Sequence, residues 1–374
     1  MRPIIDPATI DSSFPTLKEM TYLDNAATGI PPISAVNAMR KYLEDQLSAK
    51  GTIEDTLNCF KSIKEGLAAL LGGTVDSYGF APNTSVGLNI FAHGINYPKD
   101  SNIVVCDIEF PASYVPWQHA ARLYNAELRV VRSREGGFLL DDFVEKIDEN
   151  TKVVAISLVQ FGTGYRAEAE KLARAAHDNG AYFVLDIIQA AGWQEINLPR
   201  MGVDFAAAQA AKWLIGPIGA GFFYIRKEIM EEIQPRYLGW WGVENMQDYT
   251  YSEKKPTSIA TKFEVGSPSM IAYIGFKESL DFLLSIPARN RELAALDNAD
   301  YFRKRLTEID IPYYDFPEAN RSPIVSCWPK NPDQLQKSAL KERIHCSVRN
   351  GRLRVSPHFY NTRDDMDRLL EKMR

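Results

Sequence analysis

The clearest fold signal in the chain is Tyr182-Phe-Val-Leu-Asp186-Ile-Ile-Gln189, followed by Val203-Asp-Phe-Ala-Ala-Ala-Gln209-Ala-Ala-Lys212. Each part holds a short apolar run of the kind that forms a buried strand. Five further β-rich runs alternate with helical patterns through the first two-thirds of the chain: Ser77–Ala81, Asn102–Cys106, Leu128–Val131, Val153–Val159 and Ala220–Ile225. This alternation predicts an α/β fold with a mostly parallel, seven-stranded sheet.

The helical patterns indicate how the chain divides. A core-facing helix is predicted before Gly72 because apolar residues recur at helical spacing, namely Ile53, Leu57, Phe60, Leu67 and Leu71. Two more helices are predicted on either side of Pro287. The remainder reads as α+β, with strands around 322–328 and 352–356, a helix opened by Pro332, and a last helix opened by Thr362 with Asp365 as its capping-box partner. We therefore expect an N-terminal segment (1–20) that packs on the small domain, a large domain (21–286) and a small α+β domain (287–374).

Composition limits the classes of partner. The 374 residues include 24% charged and 45% hydrophobic residues with a formal net charge of -5, so no basic surface favours nucleic acid or an anionic membrane. No apolar run approaches a membrane span, and the start lacks a signal-peptide core. The four cysteines are far apart, with no C-x-x-C and no histidine cluster, which argues against a metal site. We expect a cytoplasmic protein whose partner is a small molecule.

Asp186 and Lys212 together indicate a cofactor with an aldehyde and a pyridine ring. A carboxylate at the end of a buried strand can keep a ring nitrogen protonated, and a lysine flanked by alanines can form a Schiff base once desolvation lowers its pKa. Pyridoxal phosphate needs both partners. A lysine among alanines is, by itself, most often a solvated helix residue, so the prediction depends on the pair.

Asn83-Thr84-Ser85 lies between a predicted strand and a predicted helix. Such a turn can direct backbone N–H groups and hydroxyls at a phosphate, and the helix dipole favours an anion there. A simple N-cap is the other interpretation of the same residues. Coupled to Asp186 and Lys212, the phosphate site is the better interpretation.

Three further side chains have two interpretations each. Phe110 follows a strand and either lies on the face of a flat ring or packs in the core. Arg354 alternates with Leu353 and Val355 along a strand, and it either binds a carboxylate in a cleft or forms a structural salt bridge. Trp240 forms either a pocket wall or a loop contact.

Taken together, these segments resemble the class V aminotransferase and cysteine desulfurase superfamily of fold type I pyridoxal phosphate enzymes. The resemblance runs from Tyr22-Leu-Asp-Asn-Ala-Ala-Thr28 to Tyr360-Asn-Thr362, nearly the whole chain. It implies Lys212 as the Schiff-base lysine and Asp186 as the partner of the pyridine nitrogen. The other implied cofactor contacts are Gln189 near the phenolic oxygen, Phe110 stacked on the ring, Gln209, and Asn83, Thr84 and Ser85 at the phosphate.

The same resemblance implies how the substrate and the subunits are held. Arg354 would bind the α-carboxylate of an amino-acid substrate, and Asn25 and Trp240 are further substrate-binding candidates. Ser267, in the turn Gly266-Ser-Pro268, would reach the phosphate of the neighbouring subunit. We therefore expect a homodimer with composite active sites.

The chain also departs from the cysteine desulfurases that it resembles. They carry His where Phe110 stands, and Ser-x-His-Lys where Gln209-Ala-Ala-Lys212 stands. Their nucleophilic cysteine lies on a loop well ahead of the carboxylate-binding arginine, whereas Cys346 is eight residues before Arg354. The Glu-Phe-Pro segment and the Leu-Arg-Val-Ser-Pro-His ending look closer to the isopenicillin N epimerase-like and kynureninase-like branch.

The expected function is a pyridoxal phosphate-dependent reaction on an α-amino acid, with transamination and C–S bond lysis as the leading pair. Cysteine desulfurase or selenocysteine lyase activity and epimerisation are alternatives, because all share the removal of the Cα proton. The intact Asp186, Lys212 and Arg354 argue against a catalytically silent, partner-binding member of the fold. A nicotinamide-dependent dehydrogenase fits the alternating sheet, but the sequence lacks its glycine fingerprint.

Overall fold

The computed structural model describes residues 5–373, so residues 1–4 and 374, which fall in the predicted N-terminal segment and small domain, lie outside the described residues. The α-helices are α1 (Pro7–Ser13), α2 (Ile33–Leu47), α3 (Ile53–Leu71), α4 (Thr84–Gly94), α5 (Pro111–Leu123), α6 (Leu140–Val144), α7 (Ala169–Asp178), α8 (Met270–Leu284), α9 (Ala288–Glu308), α10 (Pro332–Lys341) and α11 (Arg363–Glu371). The strands are β1 (Thr21–Tyr22), β2 (Tyr78–Ala81), β3 (Asn102–Cys106), β4 (Glu127–Val131), β5 (Thr151–Ser157), β6 (Tyr182–Asp186), β7 (Phe205–Gln209), β8 (Gly221–Ile225), β9 (Val325–Cys327), β10 (Ile344–His345), β11 (Ser347–Arg349) and β12 (Arg352–Val355). Across residues 5–373, no α-helix combines the length and the apolarity that crossing a membrane requires.

Seven strands form the central sheet, in the order β2-β8-β7-β6-β5-β3-β4. Strand β8 is antiparallel to both of its neighbours, and the other six strands run in one direction. The prediction of a mostly parallel, seven-stranded sheet is therefore confirmed. Because parallel strands end at the same edge of a sheet, the residues that follow β2, β3, β6 and β7 lie along that carboxyl edge.

Both faces of the central sheet are buried under helices. Along β6, Phe183 and Leu185 belong to one hydrophobic cluster and Val184 to another, because side chains alternate between the two faces of a strand. Helices α4 and α5 cover the face that carries Val184, and α3, α7 and α8 cover the other face. A strand that is covered on both faces does not alternate apolar with polar residues, which explains the continuous apolar runs in the sequence.

Capping residues fix the ends of the predicted helices. Thr52 and Asp55 form a capping box at the start of α3, and Gly72 ends that helix with a φ of 82°, a conformation that costs glycine little. Thr362 and Asp365 form the predicted capping box at the start of α11. The predicted end of α3 at Gly72 and the predicted start of α11 at Thr362 are confirmed, whereas the capping box at Thr52 is not predicted.

A second, antiparallel sheet of three strands, β11-β12-β9, lies in the C-terminal part of the chain and is called the small sheet below. Its strands β9 and β12 are the predicted ones, whereas β1, β10 and β11 are not predicted because runs of two or three residues carry no periodicity. Strand β1 pairs in parallel with β10, so Thr21 lies beside Ile344.

Near the N-terminus, the Phe14 ring packs 5.3 Å from the ring of Phe282 and 4.9 Å from that of Tyr360. The bounds of the three predicted parts stay a prediction.

Candidate active site

The backbone at Lys212, in the turn that follows β7, is held by distant parts of the chain. The N–H of Gly29 donates to the carbonyl of Ala211 over 2.8 Å. A Cβ atom at Gly29 would lie 2.0 Å from the carbonyl oxygen of Lys212, so only glycine allows this approach. On the other side, Nε2 of His358 is 3.0 Å from the carbonyl oxygen of Trp213. The position of the lysine therefore depends on both the N-terminal and the C-terminal residues.

The Lys212 amine lies over an aromatic ring. Its Nζ is 5.5 Å from the centroid of the Phe110 ring, and Phe110 is 43% exposed. Burial lowers the pKa of Lys212 to about 8, the carboxylate of Asp186 opposes this shift, and the guanidinium groups of Arg354 and Arg349 add to it. A large share of the amine is neutral near pH 8, and the neutral form is the one that acts as a nucleophile or takes up a proton.

Asp186 ends β6 and is almost completely buried. Its carboxylate accepts hydrogen bonds from the hydroxyl of Ser113 over 2.5 Å and from the N–H of Ile188 over 2.9 Å. Burial raises the pKa of Asp186, and these donors together with the charge of Lys212 oppose the rise. Sequence reasoning misses Ser113; the available signal is a hydroxyl in α5, one helical turn after Phe110.

The start of α4 is suited to an anion. Oδ1 of Asn83 accepts from the N–H of Val86 over 2.9 Å, so Asn83 does cap the helix. Oγ1 of Thr84 is buried and has no hydrogen-bond partner within residues 5–373, and Ser85 is half-buried beside it. A phosphate would satisfy a buried hydroxyl at a helix N-terminus, because the dipole and the free N–H groups favour an anion there. The residues present therefore fit the phosphate of pyridoxal phosphate.

The two glutamines of the predicted site differ in their surroundings. Nε2 of Gln189 donates to the carbonyl of Ala26 over 2.9 Å, and its Oε1 accepts from Nε1 of Trp213 over 2.8 Å. Its amide thus ties Ala26 to the residue after Lys212. Gln209 ends β7 and is half-buried. A contact of either glutamine with the cofactor stays a prediction.

Arg354 points away from the core of the small sheet. Its neighbours Leu353 and Val355 lie in that core, as the alternation along β12 predicts. The Arg354 side chain is nevertheless only 2% exposed, and its Nε is buried with no hydrogen-bond partner in the described part of the chain. A guanidinium with an unused buried donor is suited to bind a carboxylate.

Phe161 links Arg354 to the carboxyl edge of the central sheet. Nη1 of Arg354 donates to the carbonyl of Phe161 over 3.0 Å, and the Phe161 ring packs edge-on against Phe110 at 5.0 Å. On its other side, Nη2 of Arg354 is 3.2 Å from the carboxylate of Asp24. Arg354 and Lys212 therefore belong to one site, and Asp24 and Phe161 are two members of it that sequence reasoning misses.

The three remaining predicted site residues, Asn25, Trp240 and Ser267, differ in burial. The amide of Asn25 is fully buried, donates to the carbonyl of Ser356 over 2.8 Å and accepts from the hydroxyl of Tyr360. Trp240 is 46% exposed in a short helical turn, and Ser267 is exposed in the turn before α8. Roles in substrate binding for Asn25 and Trp240, and in cofactor binding for Ser267, stay predictions.

All four cysteines are free and none has the environment of a reactive thiol. Cys346, between β10 and β11, is 6% exposed, and burial raises its pKa to about 12. Burial also raises the pKa of Cys59, Cys106 and Cys327. Since the thiolate is the nucleophilic form, these thiols are poor nucleophiles at neutral pH.

The chain is similar to known proteins over nearly its whole length. The family model described as Aminotransferase class-V matches residues 21–369. A probable cysteine desulfurase of Methanothermobacter thermautotrophicus is 28% identical over 385 residues, which cover 96% of this chain and 95% of the relative. A cysteine desulfurase of Haloferax volcanii is 28% identical over 383 residues, covering 94% and 88% respectively.

Solved structures share the fold at lower identity. The apo cysteine desulfurase of Thermococcus onnurineus NA1 superposes with a TM-score of 0.88 at 24% identity, covering 99% of this chain and 98% of that one. The cystine C-S lyase C-DES, in complex with its reaction product cysteine persulfide, superposes with a TM-score of 0.87 at 20% identity, covering 96% and 98%.

These similarities confirm the predicted superfamily, the fold type and a pyridoxal phosphate-dependent enzyme. The matched residues include Asp186, Lys212 and Arg354. The closer likeness to the isopenicillin N epimerase-like branch stays a prediction. With a family match from residue 21 to residue 369, the chain belongs to the class-V aminotransferase family of pyridoxal phosphate-dependent enzymes.

Proposed function

We propose that the chain breaks the C–S bond of a sulfur-containing α-amino acid, with pyridoxal phosphate as its cofactor, and that the sulfur leaves without transfer to a cysteine of the enzyme. Relatives that match nearly the whole chain are named cysteine desulfurases, which supports C–S cleavage. The observation that carries the second half is the burial of the thiols, above all Cys346, whose raised pKa opposes nucleophilic attack on sulfur.

The site offers groups to hold the cofactor. Asn83, Thr84 and Ser85 at the start of α4 would bind the phosphate, and the exposed face of Phe110 would support the ring. Asp186 would pair with the ring nitrogen. A cationic ring N–H beside Asp186 would favour its carboxylate in the same way as the charge of Lys212 does, against the effect of burial.

The chemistry needs few protein groups. Pyridoxal phosphate, when bound, supplies an electron sink that acidifies the Cα proton of the substrate. Arg354 would bind the α-carboxylate and so place the Cα proton within reach of Lys212, whose Nζ would take it. The Cβ–S bond then breaks with its electron pair on sulfur, and water converts the three-carbon remainder to pyruvate and ammonia.

The test of this reaction is a panel of amino acids assayed without any 2-oxo acid. Cysteine and sulfur-substituted cysteines should give thiol or sulfide, pyruvate and ammonia in equal amounts, because elimination consumes no amino-group acceptor. Alanine is the matched control that lacks sulfur, and it should give no pyruvate under these conditions. Conversion of alanine that depends on an added 2-oxo acid would instead identify a transaminase, and racemised substrate alone would identify an epimerase.

Cys346 should be dispensable for this reaction. We expect Cys346→Ala to keep the wild-type rate of sulfur release from cysteine, because a buried thiol with a pKa of about 12 contributes little thiolate. The half-buried Cys59 gives the matched control Cys59→Ala. Complete loss of sulfur release in Cys346→Ala, with normal folding and cofactor content, would restore a mechanism through an enzyme persulfide.

We also propose a homodimer, which an apolar surface supports. Large hydrophobic side chains are exposed along the segment 237–251 and at Val265, in the turn that precedes α8. The exposed residues are Tyr237, Leu238, Trp240, Tyr249, Tyr251 and Val265. The two segments touch, since a Cβ atom at Gly239 would lie 1.7 Å from the carbonyl oxygen of Val265. Clustered apolar exposure of this kind marks protein interfaces. Ser267 follows directly and would reach the phosphate bound by the partner subunit.

Two inactive variants should complement each other if the sites are composite. In a heterodimer of Lys212→Ala with Ser267→Trp, one site carries both defects and the other carries none. We expect recovery of up to half of the wild-type activity per heterodimer, measured on heterodimers isolated through two affinity tags. Each variant as a homodimer is the control. A fully active monomer by light scattering, or no recovery in verified heterodimers, would refute the shared site.

We place the protein in the cytoplasm. Its four cysteines are free, and cysteines that remain unpaired are typical of a reducing compartment.

A further inference from the structure

Strands β11 and β12 bring three arginines onto one face of the small sheet. Directly opposed residues of antiparallel strands point to the same face, and the opposed pairs are Ser347 with Arg354 and Arg349 with Arg352. Because residues two apart on a strand also share a face, all of these side chains lie on the side that Arg354 uses. This is the face opposite to Leu353 and the small-sheet core.

The positive charges of the three guanidinium groups are not equally neutralised by carboxylates. Arg354 has the carboxylate of Asp24 at 3.2 Å. Within residues 5–373, neither Arg349 nor Arg352 has a carboxylate oxygen within 4.0 Å. Both are half-buried, and Nη1 of Arg349 donates only to the carbonyl of the adjacent Val348, over 2.8 Å. Cations that are partly desolvated beside other cations are costly unless an anion joins them.

Arg352 is held in place next to the cleft. Its guanidinium lies 5.3 Å from the centroid of the Tyr314 ring and 5.8 Å from that of Trp328, and its Nε is 3.2 Å from Oγ of Ser326. These contacts leave both terminal nitrogens free of protein acceptors in the described chain. One of them, Nη2, would be 4.0 Å from a Cβ atom at Gly162, the residue after Phe161.

Arg349 acts on the same region. Its charge lowers the pKa of Lys212 and that of Arg354, so it lies close enough to both for an appreciable Coulomb interaction. Arg349 therefore acts electrostatically on Lys212 from the face that it shares with Arg354, and Arg352 lies beside the loop that carries Phe161. Arg349 and Arg352, which have no carboxylate partner within residues 5–373, therefore extend the candidate site beyond Arg354.

We propose that Arg349 and Arg352 form a second carboxylate subsite beside Arg354, so that the preferred substrate carries a carboxylate beyond Cβ as well as its α-carboxylate. This inference rests on the proposed function in taking an α-amino acid bound by Arg354 as the substrate. In a C–S cleavage the second carboxylate belongs to the departing sulfur group, as in an amino acid joined through a disulfide to a second amino acid. A forked guanidinium is suited to such a carboxylate because it donates two parallel hydrogen bonds.

Binding of substrate analogues that cannot react separates the subsite from the chemistry. The probes are α-methylaspartate against α-methylasparagine and α-methylglutamate against α-methylglutamine, since they lack the Cα proton and each pair differs only in a side-chain carboxylate or amide. Dissociation constants are measured by calorimetry on the cofactor-loaded enzyme. We expect at least one acid to bind about tenfold or more tightly than its amide, since hydrogen bonds between charged partners are worth that much.

Two substitutions assign the preference to this subsite. Arg349→Gln and Arg352→Gln should each reduce the preference for acid over amide, whereas Arg343→Gln, an exposed control on the same domain, should leave it unchanged. Equal affinity for acid and amide in the wild-type enzyme, or a preference that both substitutions leave intact, would overturn the subsite. Failure of the C–S lysis assay with a retained acid preference would instead reject the proposed reaction and keep the subsite.

Discussion

Replacing Lys212 by alanine should lower kcat by about 10²- to 10⁴-fold, the contribution of a positioned general base. The reason is that Lys212 lies at the carboxyl edge, that burial lowers the pKa of its amine to about 8, and that its Nζ is 5.5 Å from the centroid of the Phe110 ring. Stopped-flow measurement of single turnovers would separate this loss from slower substrate binding. A small added amine should restore part of the rate, because it can enter the space that the lysine side chain leaves.

A covalent label provides the control for this assignment. Borohydride reduction of the cofactor-loaded wild-type enzyme, followed by peptide mapping, should place the cofactor on Lys212. Lys64 and Lys262 are also buried lysines, but Lys64 pairs with Glu264 at 2.7 Å, and Nζ of Lys262 donates a hydrogen bond to the carbonyl of Met230. A label on either of them, or full turnover by Lys212→Ala without added amine, would show that the central assignment is wrong.

Truncation of Arg354 to alanine should cost about 2 to 5 kcal/mol of the preference for a substrate carboxylate, as expected for a desolvated charge pair. That range corresponds to a factor of about 30 to several thousand in kcat/KM. The structural reason is the burial of the guanidinium, with Nε left without a protein partner in residues 5–373. The measurement compares amino acids with their decarboxylated amines in wild type and Arg354→Ala.

Arg303 is the matched control for Arg354. Like Arg354, it is a buried arginine with a carboxylate partner, Asp300 at 2.7 Å, and with an Nε that has no hydrogen-bond partner among residues 5–373. Its other hydrogen bonds go to the carbonyls of Ser322 and Ile324 and not to Phe161, so it does not reach the candidate site. Arg303→Ala should therefore lower the free energy of unfolding without changing the preference for the carboxylate. If the carboxylate preference survives in Arg354→Ala, the arginine has no role in substrate recognition.

The sequence predicts the large elements well because their signals are repeated along many residues. Six of the seven strands of the central sheet appear as mostly apolar runs because both of their faces are buried, whereas β4, at the edge of the sheet, is largely half-buried and includes Arg129. The positions of Asp186 and Lys212 are predicted in the same way, because Asp186 ends one of these strands and Lys212 follows another. The helices around Pro287 and the caps at Gly72 and Thr362 carry equally local signals.

What the sequence does not predict depends on contacts between distant residues. Ser113 becomes part of the site only because α5 brings its hydroxyl to Asp186. The arginine pair at 349 and 352 depends on the register of a hairpin whose first strand has three residues. Likewise, the amide of Asn25 is occupied by Ser356 and Tyr360, groups more than 300 positions away in the chain. Local patterns carry no information on such pairings.

The pairing of β1 with β10 has a consequence for synthesis of the protein. Thr21 leaves the ribosome early, but its strand partner Ile344 is made roughly 320 residues later, so this pair has one of the largest sequence separations the chain allows. Domains generally fold in the order in which they emerge, and the central sheet can close before that time. Residues 21–29, which also fix the turn at Lys212 through Gly29, then have to wait for the C-terminal strands. We expect catalytic competence to be gained only after β10 and β12 have left the ribosome, as a late step that follows assembly of the sheet.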